Sequence, residues 1–410
     1  MQAENIKTLS FGCRLNALEC EKIKYMLAEH INTAIVVNTC AVTAEGERQS
    51  GQAVRKIARE NPNCPIFVTG CAATRNPKLF SDIKNIIVIS NADKMKVDAY
   101  ITAVDNITPA PDSTIDNFNG NDEHLSKQFV QVQNGCNHKC AYCVTRLLRG
   151  PAVSFAYSDI LADVRNGIKN GFYEIVLTGV DIASYHYTDG DKTIFISDVC
   201  KKLLNDVPEI QRLRLSSMDP ASPELFKIVD LIHNDKRMMP HMHLSMQSGS
   251  DAILSSMGRR HSSETVRKLV QYANGVTFSW DIICGFPGET DELFNETLDL
   301  VHELKPIKIH AFPFSPRPNT PAATMPNQVD RAISKKRVKI ITDITNQNMQ
   351  NYMATQTGKT VSVLVENDNF ARTPDDIPVK IDGAPIPAKT ICEVRLNTIT
   401  NYTFLANRPK

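Results

Sequence analysis

No apolar run in this chain reaches the ~18 residues that a membrane span needs. The opening MQAENIKTLSFG lacks the apolar stretch of a signal peptide. A cytoplasmic protein without a membrane partner is the expectation. Charge of one sign is also missing: 46 Lys and Arg face 45 Asp and Glu, leaving +1. A bulk polycation is excluded, so any nucleic-acid contact must be local. There is no repeat at solenoid periods and no bias toward disorder, since 42% of residues are hydrophobic and 22% charged. The 410 residues suit two or three domains. Cysteine is not scarce. Eleven of them is an odd number, and in a cytosolic chain that argues against disulfides and for metal or cluster ligation.

Strands and helices alternate over residues 1–105. Strands are expected at 6–11, 34–37, 66–69 and 86–89. Asn16 is read as the cap of a helix running to His30, with Glu19 as its capping-box partner. A second helix spans 45–60 and stops before Pro62. Strands joined by helices imply parallel βαβ units. Residues 106–126, rich in Pro, Asp, Asn and Ser, read as a linker. Alternation resumes over 127–352, with strands at 129–133, 174–178, 212–216, 241–245, 278–284 and 308–312 and a closing helix at 331–352. Six β/α repeats suggest an open, partial TIM-like barrel, although a doubly wound sheet has the same periodicity. Residues 358–410 hold short strands broken by Pro, Asp and Gly, as in a small all-β barrel of the oligonucleotide-binding sort. The fold class is therefore α/β with an all-β C-terminal module.

The strongest local signal is NGCNHKCAYC, which holds Cys136, Cys140 and Cys143. Three thiolates within eight residues can bind three irons of a cubane cluster, leaving the fourth open to a ligand. A zinc knuckle is the bland alternative, but no fourth Cys or His stands at finger spacing apart from His138. A second set is dispersed: Cys13 in FGCRLN, Cys40 in NTCAVT and Cys71 in TGCAA. Each follows an expected parallel strand. The carboxyl ends of such strands share one edge, so the three can converge there and hold a second cluster. Cys20, Cys64, Cys200, Cys284 and Cys392 occupy no such position and are read as plain thiols.

The triplet, with Tyr142 before its last Cys, resembles the radical S-adenosylmethionine (SAM) superfamily. LTGVDI (Thr178, Gly179, Asp181) and IICGFPGE (Ile283, Gly285, Glu289) match its strand-end turns, and Ser216 and Gln247 fall at equivalent strand ends. The resemblance implies that these residues contact SAM. Two three-cysteine sites followed by a small β-barrel resemble, over essentially the whole chain, the methylthiotransferase family within that superfamily. FGCRLN and GVDI resemble the branch acting on N6-threonylcarbamoyladenosine at position 37 of tRNA. Other branches act on isopentenyladenosine-37 or on a ribosomal-protein aspartate. Met246 stands where the family usually has Leu, and Asn319 where it has Gly in SPRPNTP.

The resemblance implies two 4Fe-4S clusters and SAM. The cluster at Cys136, Cys140 and Cys143 would reduce SAM to a 5′-deoxyadenosyl radical. The auxiliary cluster at Cys13, Cys40 and Cys71 would carry the sulfur. It also implies tRNA as partner and a TRAM-type C-terminal domain, with a separate electron donor and a monomeric chain. Chemistry agrees on one point: carbon 2 of adenine is an unactivated C–H that no side-chain base can deprotonate, so a cofactor must act. Arg146 and Arg149, just after the triplet, are candidates for a substrate carboxylate or phosphate. Arg331, Lys335, Lys336 and Arg337 are candidates for tRNA phosphates. The C-terminal module has seven Lys or Arg against six Asp or Glu, a thin electrostatic case for RNA. The competing readings are a two-cluster electron carrier and a zinc-stabilised RNA-binding protein.

Overall fold

The computed structural model describes residues 5–104, 115 and 126–409, so the expected linker lies outside the described residues except for Ile115 and Ser126. The chain packs as two compact units. The first joins residues 1–124 with 134–152 and 315–323; the second holds 125–133, 153–314 and 324–410.

The first unit is built on a parallel sheet of β1 (Ile6–Ser10), β2 (Ala34–Thr39), β3 (Ile66–Gly70) and β4 (Ile86–Val88), in that order. Helices α1 (Arg14–Ala28), α2 (Ala44–Glu60), the short α3 (Cys71–Arg75) and α4 (Val97–Val104) connect or follow the strands. The period-two pattern of AIVVNT explains the layering. Ile35 and Val37 pack with Val54 and Ile57 of α2, whereas Ala34 and Val36 pack with Ile23 and Leu27 of α1. Register sets Ser10 opposite Asn38 and Thr39 opposite Gly70, so β1, β2 and β3 end on one edge. Helix α2 is capped as its sequence suggests, Thr43 Oγ1 accepting from Gly46 N at 3.1 Å. Helix α1 is not. Its N-cap is Cys13, and Asn16 lies buried inside the first turn.

In the second unit, β5 (Gln128–Gln131), β6 (Glu174–Thr178) and β7 (Arg212–Leu215) form one parallel sheet. A second holds β8 (His241–Gln247), β9 (Thr277–Cys284) and β10 (Lys308–Pro313). Parallel bridges Leu213–Met238 and Met218–Leu244 join the halves, making an open row of six strands. This is the partial barrel, and its core runs from Val130 through Leu177 and Leu244 to Trp280. An antiparallel hairpin, His186–Asp189 with Lys192–Phe195, was not expected. The closing helix is longer than expected, Arg331–Gln356. Five strands then close into a small barrel around Val363, Val379, Val394 and Phe404. Its Phe370–Arg372 strand is only three residues long, behind two positive-φ residues, Asp368 and Asn369, which hides it from sequence patterning. The fully buried Glu174 pairs with Lys127, Arg212 and Arg214. Those arginines also donate to Ser362 O (2.8 Å) and Pro374 O (2.9 Å) of the C-terminal module.

Candidate metal centre

The shared edge of β1, β2 and β3 brings the dispersed cysteines together. Cys13 follows β1 and is exposed; Cys40 directly follows β2 and Cys71 opens α3, both buried. Gly12 and Gly70 make the turns, with φ of 86° and 94°. A Cβ on Gly12 would lie 2.5 Å from Cys40 Sγ, so only glycine leaves that thiol its place. Burial pushes the Cys40 thiol up, and the charges of Cys13 and Cys71 raise it further, against the Val42 N–H and Arg149. Asn91 Nδ2 lies 3.8 Å from Cys71 Sγ.

The triplet loop belongs to the same compact unit. Cys136, Cys140 and Cys143 are all half-buried. Backbone N–H groups of His138 and Thr145 point at Cys136 Sγ and Cys143 Sγ, each at 3.4 Å. The loop closes through Cys136 N donating to Gly150 O at 3.2 Å. It leads into α5 (Thr145–Arg149), where Leu148 packs on Ala41, Cys71 and Ala72. Residues 315–323 brace both parts: Ser315 Oγ accepts from Ala44 N at 3.2 Å, Arg317 pairs with Glu47, and Ala322 N donates to Ala141 O at 2.9 Å.

Arg149 differs from its sequence reading as a substrate contact. Its side chain is 3% exposed and makes a forked ion pair with Glu19, 2.9 Å from Nη1 to Oε1. Glu19, in turn, is no capping residue. It sits at the buried stripe of α1 beside Leu18 and Ile23, where a carboxylate requires partners, and it finds Arg149 and Lys94. Burial opposes its charge, yet the two cations hold its carboxyl below the usual range. Arg146 remains on the surface.

Arg337 differs likewise. It lies on the buried stripe of its helix with Ser334, Ile341 and Thr345, and donates to Glu289 Oε1 at 2.6 Å. Arg331, Lys335 and Lys336 are exposed on the same helix.

Among the residues read as SAM contacts, those in the second unit line the carboxyl ends of β6 to β9. Thr178 ends β6, and Val180 N and Asp181 N both donate to Gln133 Oε1, at 3.1 and 2.9 Å. A Cβ on Gly179 would lie 2.7 Å from Gln133 O. Ser216 Oγ is buried without a hydrogen-bond partner. Gln247 ends β8 at φ 69°, an uncommon conformation for a side chain of its size. Ile283 and Gly285 lie at the end of β9, where Gly285 N donates to Glu289 Oε1 at 2.9 Å. Burial raises the Glu289 carboxyl, against Gly285 N–H and Arg337. Tyr142 is half-buried on the triplet loop.

Sequence reasoning did not single out Gly12, Asn91 or Lys94, and read Asn16 and Glu19 only as capping residues, although all five pack around the candidate site. A signal existed for Asn16 and Glu19, which fall on the apolar stripe of α1. Lys94 had none, since nothing local marks a lysine that is 2% exposed.

Comparison with known proteins assigns families to two stretches of the chain. The profile of the radical SAM superfamily matches residues 130–301, and that of the uncharacterized protein family UPF0004 matches residues 5–90. A threonylcarbamoyladenosine tRNA methylthiotransferase, MtaB of Rickettsia prowazekii, is 39% identical over 91% of this chain and 90% of its own length. The MtaB of Bacillus subtilis is 29% identical over 90% and 86%. A tRNA-2-methylthio-N(6)-dimethylallyladenosine synthase of Acetivibrio thermocellus is 29% identical over 96% and 89%. Among solved structures, the radical SAM methyltransferase TsrM of Kitasatospora setae superposes with a TM-score of 0.55 at 14% identity. It covers 76% of this chain and 69% of its own, a likeness of fold.

Proposed function

The chain belongs to the radical SAM methylthiotransferase family of tRNA-modifying enzymes, and on that premise we propose that it methylthiolates carbon 2 of N6-threonylcarbamoyladenosine-37 in tRNA. The observation that carries this is the presence, in one compact unit, of two sets of three cysteines, one set following three strands that end on one sheet edge. Their donor chemistry fits the groups the family implies. Each set offers three soft thiolates, one short of closing a four-iron cluster. Backbone N–H groups aimed at two sulfurs of the triplet, and the glycine that makes room for Cys40 Sγ, suit anionic sulfur ligands. Cys136, Cys140 and Cys143 would hold one cluster, and Cys13, Cys40 and Cys71 the other.

SAM fits the row at the ends of β6 to β9, where Ser216 Oγ is buried with its hydrogen bond unused. When bound, the clusters and SAM supply the electron, methyl group, sulfur and hydrogen abstraction that no side chain provides. The protein's part is position and exclusion. The strands before Cys13, Cys40 and Cys71 end on one sheet edge, Gln133 fixes the turn of Val180 and Asp181, and Arg337 with Glu289 braces the Gly285 turn. Exposed Arg331, Lys335 and Lys336 offer charge to tRNA phosphates, and the five-stranded barrel serves as the TRAM-type RNA module. Arg146 is the exposed candidate for the threonylcarbamoyl carboxylate. Among the described residues no helix is long and apolar enough to cross a membrane. We read the chain as a cytoplasmic monomer that takes electrons from a separate donor.

The 39% relative favours the threonylcarbamoyl branch over the dimethylallyl branch at 29%. A site built for a carboxylate leaves polar groups unpaired when an apolar group replaces it, which discriminates by ~10⁴-fold or more. The test uses reconstituted enzyme, SAM, reductant and three tRNA samples differing only at adenosine 37. The threonylcarbamoyl sample should react, and the unmodified and isopentenyl samples should not. Equal methylthiolation of the isopentenyl sample would overturn the substrate while sparing the reaction class.

A further inference from the structure

A closed ring of hydrogen bonds joins the two cysteine sets. Arg149 Nη1 donates to Glu19 Oε1 at 2.9 Å, and Lys94 Nζ donates to Glu19 Oε2 at 2.6 Å. Lys94 Nζ also donates to Asn91 Oδ1 at 2.8 Å, and Asn91 Nδ2 donates to the carbonyl of Leu148, the residue before Arg149, at 3.0 Å. Two spokes leave the ring at Arg149. Its Nη2 donates to Asn16 Oδ1 at 2.6 Å, and Asn16 Nδ2 donates to Phe11 O and Thr39 O, next to the turns of Cys13 and Cys40. Its Nη1 donates to Asn134 Oδ1 at 3.2 Å, two residues before Cys136.

The ring holds two cations against one carboxylate, with side chains of Arg149, Lys94 and Glu19 only 2–3% exposed. One positive charge is therefore in surplus and desolvated, in a ring whose Asn91 amide lies 3.8 Å from Cys71 Sγ. Asn91 reaches from the ring to Cys71 Sγ, and Arg149 feels the charges of Glu19, Cys71 and Cys13. Buried charge acts at long reach because little water screens it. A cluster held by these three thiolates would become more negative with each electron it accepted, and a surplus cation nearby would favour that gain.

We infer that Arg149 is a positioning residue for the methylthiolation proposed above: through Glu19 and Lys94 it registers the triplet loop against Cys13, Cys40 and Cys71, and the ring's surplus charge sets how readily the auxiliary site is reduced. This rests on the two-cluster reading. The test is a redox titration of the anaerobically reconstituted full chain, followed by electron paramagnetic resonance and preceded by iron analysis and circular dichroism. Arg149→Met removes the surplus charge and should lower the auxiliary midpoint potential. A tenfold loss in the reduction equilibrium would read as ~59 mV for one electron. Glu19→Gln adds to the surplus and should raise the potential. Arg149→Lys keeps the charge and should restore the wild-type value, while losing the fork that registers the loop. Opposite shifts support the inference, because a merely structural ring would move both variants the same way. Unshifted potentials, or shifts of the same sign, in folded and iron-replete variants overturn it. Should Arg149→Met not fold, Lys94→Met removes the other cation and must also lower the potential; a value at or above wild type overturns the inference. A wild-type chain that holds only one cluster overturns the two-cluster reading itself, and the inference with it.

Discussion

Replacing Gly12 by Ala separates two costs that structures usually confound. The backbone there has φ 86°, and a Cβ would lie 2.5 Å from Cys40 Sγ and 2.7 Å from Cys40 Cβ. Ordinary contact needs about 3.5–4.0 Å, so the Cys40 side chain must retreat by about 1 Å. Metal–ligand distances tolerate only about 0.2 Å. The displaced thiol can no longer share a cluster with Cys13 and Cys71. Gly171 is the control, with φ 78° and nothing within 4 Å of its would-be Cβ. Gly171→Ala should therefore meet only the left-handed backbone penalty, about 1–2 kcal/mol, with iron intact. Gly12→Ala meets that penalty and also loses the auxiliary cluster, about half the iron, while reductive SAM cleavage persists. Iron analysis with a 5′-deoxyadenosine assay reads both. Full iron in a folded Gly12→Ala variant would refute the placement of Cys40 beside that turn.

Replacing Cys136, Cys140 and Cys143 by Ala should abolish SAM cleavage and about half the iron, whereas replacing Cys13, Cys40 and Cys71 should remove the other half and spare SAM cleavage. Arg337→Met leaves Glu289 buried without its cation and should cost about 3 kcal/mol in thermal unfolding; Lys335→Ala with Lys336→Ala should instead weaken tRNA binding and flatten its salt dependence. His241 and His261 are held down to about 3 and about 4, chiefly by burial, so they stay neutral when folded. The unfolded chain takes up those protons first as pH falls through about 6.5, so stability is full above that pH and drains below it. Each histidine costs about 2 kcal/mol between pH 6.5 and 5. His241→Gln with His261→Gln should flatten that part of the stability curve in chemical denaturation.

The sheet edge that Cys13, Cys40 and Cys71 follow was legible because each cysteine stands within three residues of the end of a short strand-like segment, and parallel topology does the rest. The triplet stood out in the sequence by its spacing. What remained hidden depends on contacts between distant residues. Glu19 and Arg149 lie 130 positions apart, so no local pattern tells a helix-capping acid from a buried ion-pair partner. The same blindness sent Arg149 and Arg337 to the surface in the sequence reading, because composition counts charge without direction. For Arg337 the stripe of Ser334, Ile341 and Thr345 carried the direction, had helical phase been applied to basic residues as well as apolar ones. For residues 134–152, sequence order suggested the partial barrel as host, yet Leu148 and Arg149 anchor the segment to the N-terminal sheet unit.

The central claim is tested most directly by mass spectrometry of tRNA nucleosides from a bacterial host deleted for its own threonylcarbamoyladenosine methylthiotransferase. Expression of this chain should convert N6-threonylcarbamoyladenosine to its 2-methylthio derivative, a gain of one sulfur and one methylene in mass, and a Cys13→Ala chain should not. Unchanged threonylcarbamoyladenosine beside newly formed 2-methylthio-isopentenyladenosine, or no methylthio nucleoside from a chain carrying both clusters, would contradict the account.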